Sequence, residues 1–237
     1  GNSKFKSGKR SIAISQRLVF LDVETTGLSS RWNRIIEIYM VSLGEDGEVQ
    51  EYGTLINPGR PIPAEISELT GLTDADVALA PKEKEVAAEI RDFIGFGLPV
   101  AHNLSFDKGF LNAMFRRNKL LELGDIGIDT LAISRELFPK LCIYPGGGGS
   151  HRLSNLMYHF NLQDAYQNAH RAKDDVMLLI EVFRNLQLYA AGDWPGSFPE
   201  AVTHGCPNCG AAMYLVEEGD RRTLYCRQID CELQLVV

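Results

Sequence analysis

The sequence predicts an α/β protein with a mixed sheet flanked by helices, followed by a small cysteine-rich module. Two observations predict the sheet: an apolar run followed by a two-strand hairpin comes first, and strands alternating with helices come after it. The third observation is that four of the five cysteines lie in two close pairs near the C-terminal end. With 237 residues, the chain is long enough for one sizeable domain and such a module.

Composition and charge narrow the classes of function. The chain is 45% hydrophobic and 23% charged, as in ordinary globular proteins. No apolar run approaches the ~18 residues of a membrane span, and residues 1–13 lack the apolar core of a secretory signal. We therefore expect a flexible N-terminal tail at 1–13, a cytoplasmic location and no membrane partner. A net charge of −7 argues against a broad basic face for long duplex nucleic acid, but not against a strand end held through metal ions.

The first predicted strand begins with the apolar run at residues 18–21 and leads into the sequence DVETTG at residues 22–27. Because side chains alternate along a strand, Asp22 and Glu24 project together from the end of an apolar segment. Two carboxylates placed in this way repel each other and lose solvation, and a divalent cation relieves both costs. The alternative is a strand-to-loop turn in which both acids simply face water.

A hairpin and two short helices are predicted next. Residues 34–43 and 49–56 are rich in strand-forming side chains, and the Asp-Gly turn between them favours antiparallel pairing. Residues 64–69 predict a short helix, and Thr73 with Asp76 resembles a capping box at the start of another.

A third carboxylate is predicted on a later helix. A short strand near residue 100 leads into a helix that runs to about Asn118, with Ser105 as its expected N-cap. Asp107 lies in the first turn, where a negative charge suits the helix dipole, and this is the structural alternative for it. Against that alternative, Asp107 is in register with apolar residues at i+3, i+4 and i+7, which places it on the core-facing stripe.

The last long helix begins near His170 and runs to about residue 191. Two aspartates compete for the inner face of this helix, and periodicity decides between them. Asp175 aligns with the apolar residues Leu178, Leu179, Val182 and Leu186. Asp174 aligns with Glu181 and Asn185, which we expect on the solvated side. His170 must lie in the turn before the helix to reach the same site, and a purely structural histidine is the alternative.

The connection between these helices carries less information. Asp129 or Thr130 is expected to cap a helix that ends at Leu137, and a further helix is expected around 153–160. The Gly-rich residues 145–150 have the composition of a flexible linker, so we infer no function from them.

Together, three stretches resemble the DEDDh exonucleases, the DnaQ-like superfamily that includes proofreading exonucleases of DNA polymerases and RNase T. The matching stretches are DVETTG at 22–27, HNLSFD at 102–107 and HxAxxD at 170–175, and the segments 55–59 and 68–73 are also similar. The resemblance covers roughly residues 14–192. It implies a ribonuclease H-like sheet whose first three strands are antiparallel and whose later strands are parallel.

The resemblance also implies a chemistry. Asp22, Glu24, Asp107 and Asp175 would hold two Mg²⁺ or Mn²⁺ ions, which suit hard carboxylate oxygens and act as a pair about 4 Å apart in phosphodiester hydrolysis. With these acids, His170 completes the catalytic set as the general base, since an imidazole pKa of about 6.5 suits that task.

The expected substrate contacts follow from the same resemblance. Thr25 and Thr26 would line the pocket for the terminal nucleotide, while Leu69 and Phe106 would pack on its base or sugar; plain core packing is the alternative for the last two. The implied reaction is 3′→5′ hydrolysis of single-stranded DNA or RNA ends, releasing nucleoside monophosphates, with a polymerase or similar complex as a possible partner. A catalytically idle binding module is the competing hypothesis, and the complete acid set argues against it.

A second module is predicted after a linker at 193–203 that contains Trp-Pro-Gly. Within 204–237, Cys206 and Cys209 form one pair and Cys226 and Cys231 another, on either side of an expected hairpin turn at 218–220. This pattern resembles a zinc ribbon holding one structural Zn²⁺, which so small a core would need.

Some features of this module leave alternatives open. The four-residue spacer of the second pair departs from the usual two and leaves His204 as a substitute ligand. A disulfide is the weaker alternative because no secretory signal is seen. The fifth cysteine, Cys142, is expected to be a buried or bystander thiol. The ribbon could aid substrate docking, or could act as an adaptor to a larger complex.

Overall fold

The computed structural model describes residues 17–139, 141–144, 146–166, 170–196, 201–209, 212–218, 221–226, 231 and 233–236. For residues 201–205, 212, 214–218 and 221–222 it describes the backbone only. The expected tail at 1–13, the centre of the turn at 219–220 and the side chain of His204 therefore lie outside the described part.

The larger sheet has five strands in the order β3-β2-β1-β4-β5. Its strands are β1 (Leu18–Thr25), β2 (Ile35–Leu43), β3 (Val49–Leu55), β4 (Leu98–Ala101) and β5 (Ile128–Asp129). The first three pair antiparallel, whereas β4 pairs parallel to both β1 and β5. The predicted mixed sheet is confirmed, with the strand that carries DVETTG at its centre.

Helices cover both faces of this sheet. They are α1 (Ala64–Thr70), α2 (Asp74–Val77), α3 (Glu83–Ile94), α4 (Leu104–Arg117), α5 (Thr130–Leu137), α6 (Leu153–His159) and α7 (Ala172–Ala191). Alternation along β1 sends Val19 and Leu21 into the core formed with α3 and α4, while Leu18 and Phe20 enter the core formed with α6 and α7. No helix of the described residues combines the length and apolarity needed to cross a bilayer.

The helix caps test the local predictions. Asp76 Oδ2 accepts from the Thr73 amide at 2.7 Å, as the capping box requires. Asp129 caps α5 by accepting from the Leu131 amide at 3.0 Å. The expected N-cap of α4 was wrong: Asn103, not Ser105, occupies that position, in a left-handed conformation at φ 70°. An asparagine tolerates this conformation at the tight turn from β4 into α4.

The Gly-rich connection is packed, in contrast to the expected flexible linker. The buried Asn155 accepts from the Tyr144 amide at 2.7 Å and donates to the carbonyls of Cys142 and Ser150 at 2.7 and 2.6 Å. A Cβ at Gly147 would lie 2.1 Å from Asn155 Oδ1, so a glycine is required there. The described part of the loop, 146–150, is thus fixed to α6.

The C-terminal sheet is antiparallel with the order β6-β7-β8-β9. Its strands are β6 (Ala201–Gly205), β7 (Ala212–Glu218), β8 (Arg221–Cys226) and β9 (Gln234–Val236). β6 begins at Ala201, inside the segment expected to be linker. The described buried apolar residues of this module form a small cluster of Cys206, Met213 and Cys226.

Candidate active site

Carboxylates from two elements meet at the end of the central strand. Asp22 and Glu24 lie near the end of β1, and Asp175 lies in the first turn of α7. One oxygen of each lies within 4.8 Å of the others. They share the face of β1 that carries Phe20, so α7 closes over them.

A fourth carboxylate, Asp107 of α4, lies beside this cluster. Its side chain is 3% exposed, and its Oδ1 accepts from the Val23 amide at 3.2 Å, at the residue between the two acids of β1. Burial and then the charge of Asp22 raise the pKa of Asp107 well above its ordinary value. The register argument for an inward Asp107 is confirmed, as is the choice of the buried Asp175 over the exposed Asp174.

Burial and mutual repulsion disfavour the charged form of each acid. Burial, then Glu37, raises the pKa of Asp22 to about 7. Burial, then Asp22, raises the pKa of Asp175 to about 8 and that of Glu24 to about 9. The alternative of two acids simply facing water is wrong, since Asp22 and Glu24 are half-buried beside other carboxylates.

This arrangement fits divalent cations. Asp175 Oδ1 is buried and has no hydrogen-bond partner among the described residues, which is costly for a carboxylate oxygen. A cation would satisfy that oxygen and offset the repulsion between the acids. A set of carboxylate oxygens suits Mg²⁺ or Mn²⁺ by donor type.

His170 lies in the turn before α7, as predicted, with a left-handed φ of 49°. Its exposed side chain lines a cavity of about 630 Å³ together with His102 and Arg152. Partial burial, then Arg152, lowers the pKa of His170. Within the described part of the chain, no hydrogen bond or ion pair joins His170 to the four acids.

Glu37 is a buried carboxylate that the sequence analysis did not single out. It pairs across the sheet with Glu24 and is 8% exposed. It accepts from Arg171 Nε and Nη2 at 3.1 and 2.8 Å, and from the Ala172 amide at 3.1 Å. Glu37 therefore binds the start of α7 to β2. An acid inside the apolar run at 35–38 was the available signal.

The predicted solvated position of Asn185 is wrong. Asn185 is buried, donates to the Glu181 carbonyl at 2.8 Å and accepts from Trp194 Nε1 at 2.7 Å. Trp194 also packs against Phe160 of the α6 end at 5.5 Å between ring centroids. The chain after α7 thus covers a face of the helix that periodicity within α7 assigned to solvent.

The two threonines after the acids make local hydrogen bonds. Both are buried. Thr25 Oγ1 donates to the Gly27 carbonyl at 2.7 Å, while Thr26 Oγ1 accepts from the Arg34 amide at 3.0 Å. These bonds fix the loop that leaves β1.

The two apolar candidates for substrate contact differ in exposure. Leu69 on α1 is 51% exposed, so the core alternative is wrong for this residue. Phe106 is half-buried, and its ring packs against that of Phe110 at 4.9 Å between centroids. Phe106 therefore contributes to core packing while part of the residue stays exposed.

The four paired cysteines converge in the C-terminal sheet. Their Sγ atoms lie within 4.8 Å of one another, with 3.5 Å between Cys206 and Cys231 and 3.4 Å between Cys209 and Cys226. A disulfide needs about 2.05 Å, whereas four sulfurs at about 2.3 Å from one Zn²⁺ lie roughly 3.8 Å apart. The arrangement fits a tetrahedral zinc site.

The thiol chemistry agrees with that fit. Burial raises the pKa of Cys206, but hydrogen bonds from the amides of Asn208 and Cys209, together with those to the thiols of Cys231 and Cys226, outweigh it, and the pKa falls to about 7. A thiolate is the form that binds metal. Cys142 is buried in the main core, as predicted.

Comparison with known proteins identifies the class. The exonuclease family described as RNase_T matches residues 19–183. The chain is 35% identical over 176 residues to DNA polymerase III subunit epsilon of Treponema pallidum (strain Nichols), covering 73% of this chain and 79% of the relative. It spans about 10% of the length of the PolC-type DNA polymerases III that it also matches.

Solved structures show the same fold. Exonuclease X in complex with 5′ overhanging duplex DNA has a TM-score of 0.54 and 27% identity, covering 74% of this chain and 93% of that one. E. coli Exonuclease I in complex with a dT13 oligonucleotide has a TM-score of 0.63 at 18% identity, covering 76% of this chain and 43% of that one.

The fold and the acid site thus define a DEDDh 3′→5′ exonuclease. The chain belongs to the RNase_T exonuclease family, whose members use divalent metal ions.

Proposed function

We propose that this exonuclease shortens single-stranded DNA or RNA from the 3′ end and releases nucleoside monophosphates. The observation that carries the proposal is the convergence of three acids from β1 and α7 beside the buried Asp107 of α4, with a buried Asp175 oxygen that has no hydrogen-bond partner among the described residues. A catalytically idle binding module has no need for so costly a cluster.

Each acid has a role in this proposal. Asp22, Glu24, Asp107 and Asp175 would hold two Mg²⁺ or Mn²⁺ ions, which would neutralise phosphate charge and lower the pKa of water. Asp107 presents a fixed orientation because Val23 already binds one of its oxygens. The four carboxylates therefore define where the scissile phosphate is bound.

His170 would act as the general base. Its lowered pKa keeps the imidazole neutral near pH 7, so the ring can accept a proton from the attacking water. It lies in the turn before α7, five residues ahead of Asp175, and it lines an open cavity.

The terminal nucleotide would contact the loop after β1 and two apolar side chains. Leu69 is exposed and can pack on a base, and Phe106 offers the exposed part of its ring. The hydroxyls of Thr25 and Thr26 are engaged in the loop, so these residues would shape the pocket by fixing its backbone.

DNA is the favoured substrate. The relative at 35% identity is a DNA polymerase III subunit, and Exonuclease X, at 27% identity, was solved with duplex DNA. The same relative favours a polymerase complex as the partner.

We assign residues 14–192 to the exonuclease domain and 201–237, which include β6, to a zinc-ribbon-like module with one structural Zn²⁺; the linker between them is 193–200. The ribbon is proposed to aid docking of substrate or partner.

Matched DNA and RNA oligomers with free and blocked 3′ ends test the proposal. With Mg²⁺ or Mn²⁺, we expect mononucleotides from free 3′ ends of DNA, slower release from RNA, and none from blocked ends. Intact oligomers at high enzyme concentration with both metals supplied would contradict the proposal.

Removal of the chain after Gly196 tests the ribbon separately. Docking by the ribbon predicts weaker binding of the substrate or polymerase partner with the exonuclease fold retained. Unchanged activity and unchanged partner binding would leave the ribbon without the proposed role.

A further inference from the structure

The cavity beside His170 has an unusual charge. Its lining includes the side chains of Arg135 and Arg152 and three histidines, and no carboxylate is found among its described lining residues. The whole chain has more acidic than basic residues, with 31 Asp and Glu against 24 Lys and Arg. The cavity lining, which contains arginines but no described acid, therefore differs in charge from the chain as a whole. The cavity volume of about 630 Å³ leaves room for part of a nucleotide chain.

The floor of the cavity is fixed by hydrogen bonds. His102 Nε2 lies 2.7 Å from the His151 carbonyl oxygen, which can only accept, so Nε2 carries the hydrogen. Its Nδ1 lies 2.9 Å from the Thr130 hydroxyl oxygen, and that hydroxyl donates to the Ala101 carbonyl at 3.3 Å. Burial also lowers the pKa of His102. His151 is held in turn by Ser134, with 3.0 Å between Nδ1 and Oγ.

The wall of the cavity is the Gly-rich loop at 146–150. Asn155 fixes this loop to α6, so the cavity is bordered by an anchored segment. A fixed floor and wall mean that a ligand would bind without ordering this part of the chain first.

Neither Arg135 nor Arg152 forms an ion pair with a carboxylate of the described residues. Other arginines do so, in the pairs Arg116–Glu122, Arg117–Glu83, Arg171–Glu37 and Arg184–Glu181. After burial, Arg135 is the group that lowers the pKa of His151, and Arg152 the group that lowers that of His170. Their positive field therefore reaches into the cavity.

We propose that this cavity is a phosphate subsite, in which Arg135 and Arg152 bind a backbone phosphate of the substrate strand on the 5′ side of the scissile bond. The inference rests on the proposed exonuclease function. When the last phosphodiester of a strand lies at His170 and the acids, the next phosphate is one nucleotide away on the 5′ side. Because His170 also lines the cavity, that phosphate is within reach of it.

The chemistry of the subsite explains how an acidic protein can hold a polyanion. Guanidinium groups match phosphate oxygens in bidentate pairs. Contacts to phosphate position a strand without reading its sequence, and they make binding dependent on salt. The subsite therefore binds the strand independently of its base sequence, while the acids carry out the hydrolysis.

The test compares two substrates in the full-length protein. One is a single-stranded oligonucleotide, and the other is the p-nitrophenyl ester of thymidine 5′-monophosphate, whose only phosphate is the one that reacts. We expect Arg135→Gln and Arg152→Gln each to lower kcat/KM for the oligonucleotide about tenfold more than for the ester. Each should also reduce the slope of log binding constant against log salt by about 1. The matched control is Arg184→Gln, at an exposed arginine of α7 that pairs with Glu181. It should leave kcat/KM unchanged for both substrates.

Equal losses on both substrates would overturn the subsite, because they would place the arginines in the chemistry. An equal loss in Arg184→Gln would also overturn it, because total charge would then explain the effect. Oligonucleotide binding is measured by fluorescence anisotropy in the same variants. A wild type that hydrolyses neither substrate but binds the strand through Arg135 and Arg152 would refute the exonuclease function alone. Unchanged binding in both variants would refute the subsite alone.

Discussion

The acid cluster at the end of β1 and the cysteine cluster of the C-terminal sheet are both suited to cations, but they are supported differently. The acids lie against two large apolar cores, which contain Phe20, Leu21 and Phe110. The cysteines lie against a small apolar cluster in which Cys206 and Cys226 are themselves two of the three buried members described. At the first site the protein fold would hold the ion in place, whereas at the second the ion would hold the fold together.

The ligand atoms follow the same division. The carboxylate oxygens would hold cations that take part in catalysis, whereas the four sulfurs would enclose an ion whose role is structural. Losing metal should therefore stop catalysis at one site and unfold the chain locally at the other.

The largest expected effect is on catalysis at the acid site. Asp22→Asn should lower exonuclease activity by roughly 1,000-fold or more, about 4 kcal/mol of transition-state stabilisation. The protein should remain folded, because the substitution preserves shape and removes one of four mutually repelling charges. Activity assays with Mg²⁺, together with circular dichroism, measure both results. An active Asp22→Asn variant would remove the basis of the metal-dependent mechanism.

The next effect is on folding at the cysteine site. Cys226→Ser should remove the bound zinc and unfold β6–β9, because structural zinc contributes on the order of 10 kcal/mol to such small modules. Zinc content and hydrogen exchange of the sheet measure the loss. Cys142→Ala, which removes a buried thiol from the main core, is the control and should keep the zinc. A sheet that stays protected without zinc would contradict the proposed structural role.

The acid site also predicts a dependence of stability on pH. Carboxyl groups of an unfolded chain titrate near pH 4, whereas burial raises the pKa to about 7 for Asp22, about 8 for Asp175 and about 9 for Glu24. Between pH 5 and 9 the folded state therefore binds more protons, and the free energy of unfolding of metal-free protein should fall as pH rises.

Denaturant unfolding at several pH values, with a chelator and then with Mg²⁺, measures this dependence. Mg²⁺ should stabilise the protein most at high pH, because it replaces the protons of the acids. Asp22→Asn should reduce the slope in metal-free protein by removing one titrating group. Stability that rises with pH in the absence of metal would contradict the prediction.

The smallest effect is expected at Glu37, which supports the acids without belonging to their cluster. Glu37→Gln should lower kcat about tenfold, because Arg171 and the Ala172 amide lose a charged acceptor. It should also shift Mg²⁺ binding to lower pH, since Glu37 helps to raise the pKa of Asp22.

Glu48→Gln, at an exposed turn before β3, is the matched control for Glu37→Gln and should change neither kcat nor the pH of metal binding. A loss of stability alone in Glu37→Gln, with the pH dependence of Mg²⁺ binding unmoved, would show that Glu37 acts only as a structural link.

Periodicity within one element was enough to predict most of the acid site. Alternation along β1 selects Asp22 and Glu24, and helical register selects Asp107 and Asp175. Each of these residues follows the core-facing pattern of its own strand or helix, so local sequence carries the information.

The errors share a different origin. Asn185 is buried by Trp194, and Glu37 is placed by Arg171, a residue far along the chain. The loop at 146–150 is fixed by Asn155 although its composition suggests flexibility. In each case the position depends on a contact between separate elements, which no periodic pattern within one element reports.

The hydrogen bond from the Val23 amide to Asp107 has a consequence for ion selectivity. Because one oxygen of this carboxylate is already engaged by the main chain, Asp107 is suited to give a single donor atom. Small ions with six ligands accept such a donor, whereas a larger ion such as Ca²⁺ favours more oxygens and often both from one carboxylate. The backbone of the central strand would thereby favour a small cation over a larger one.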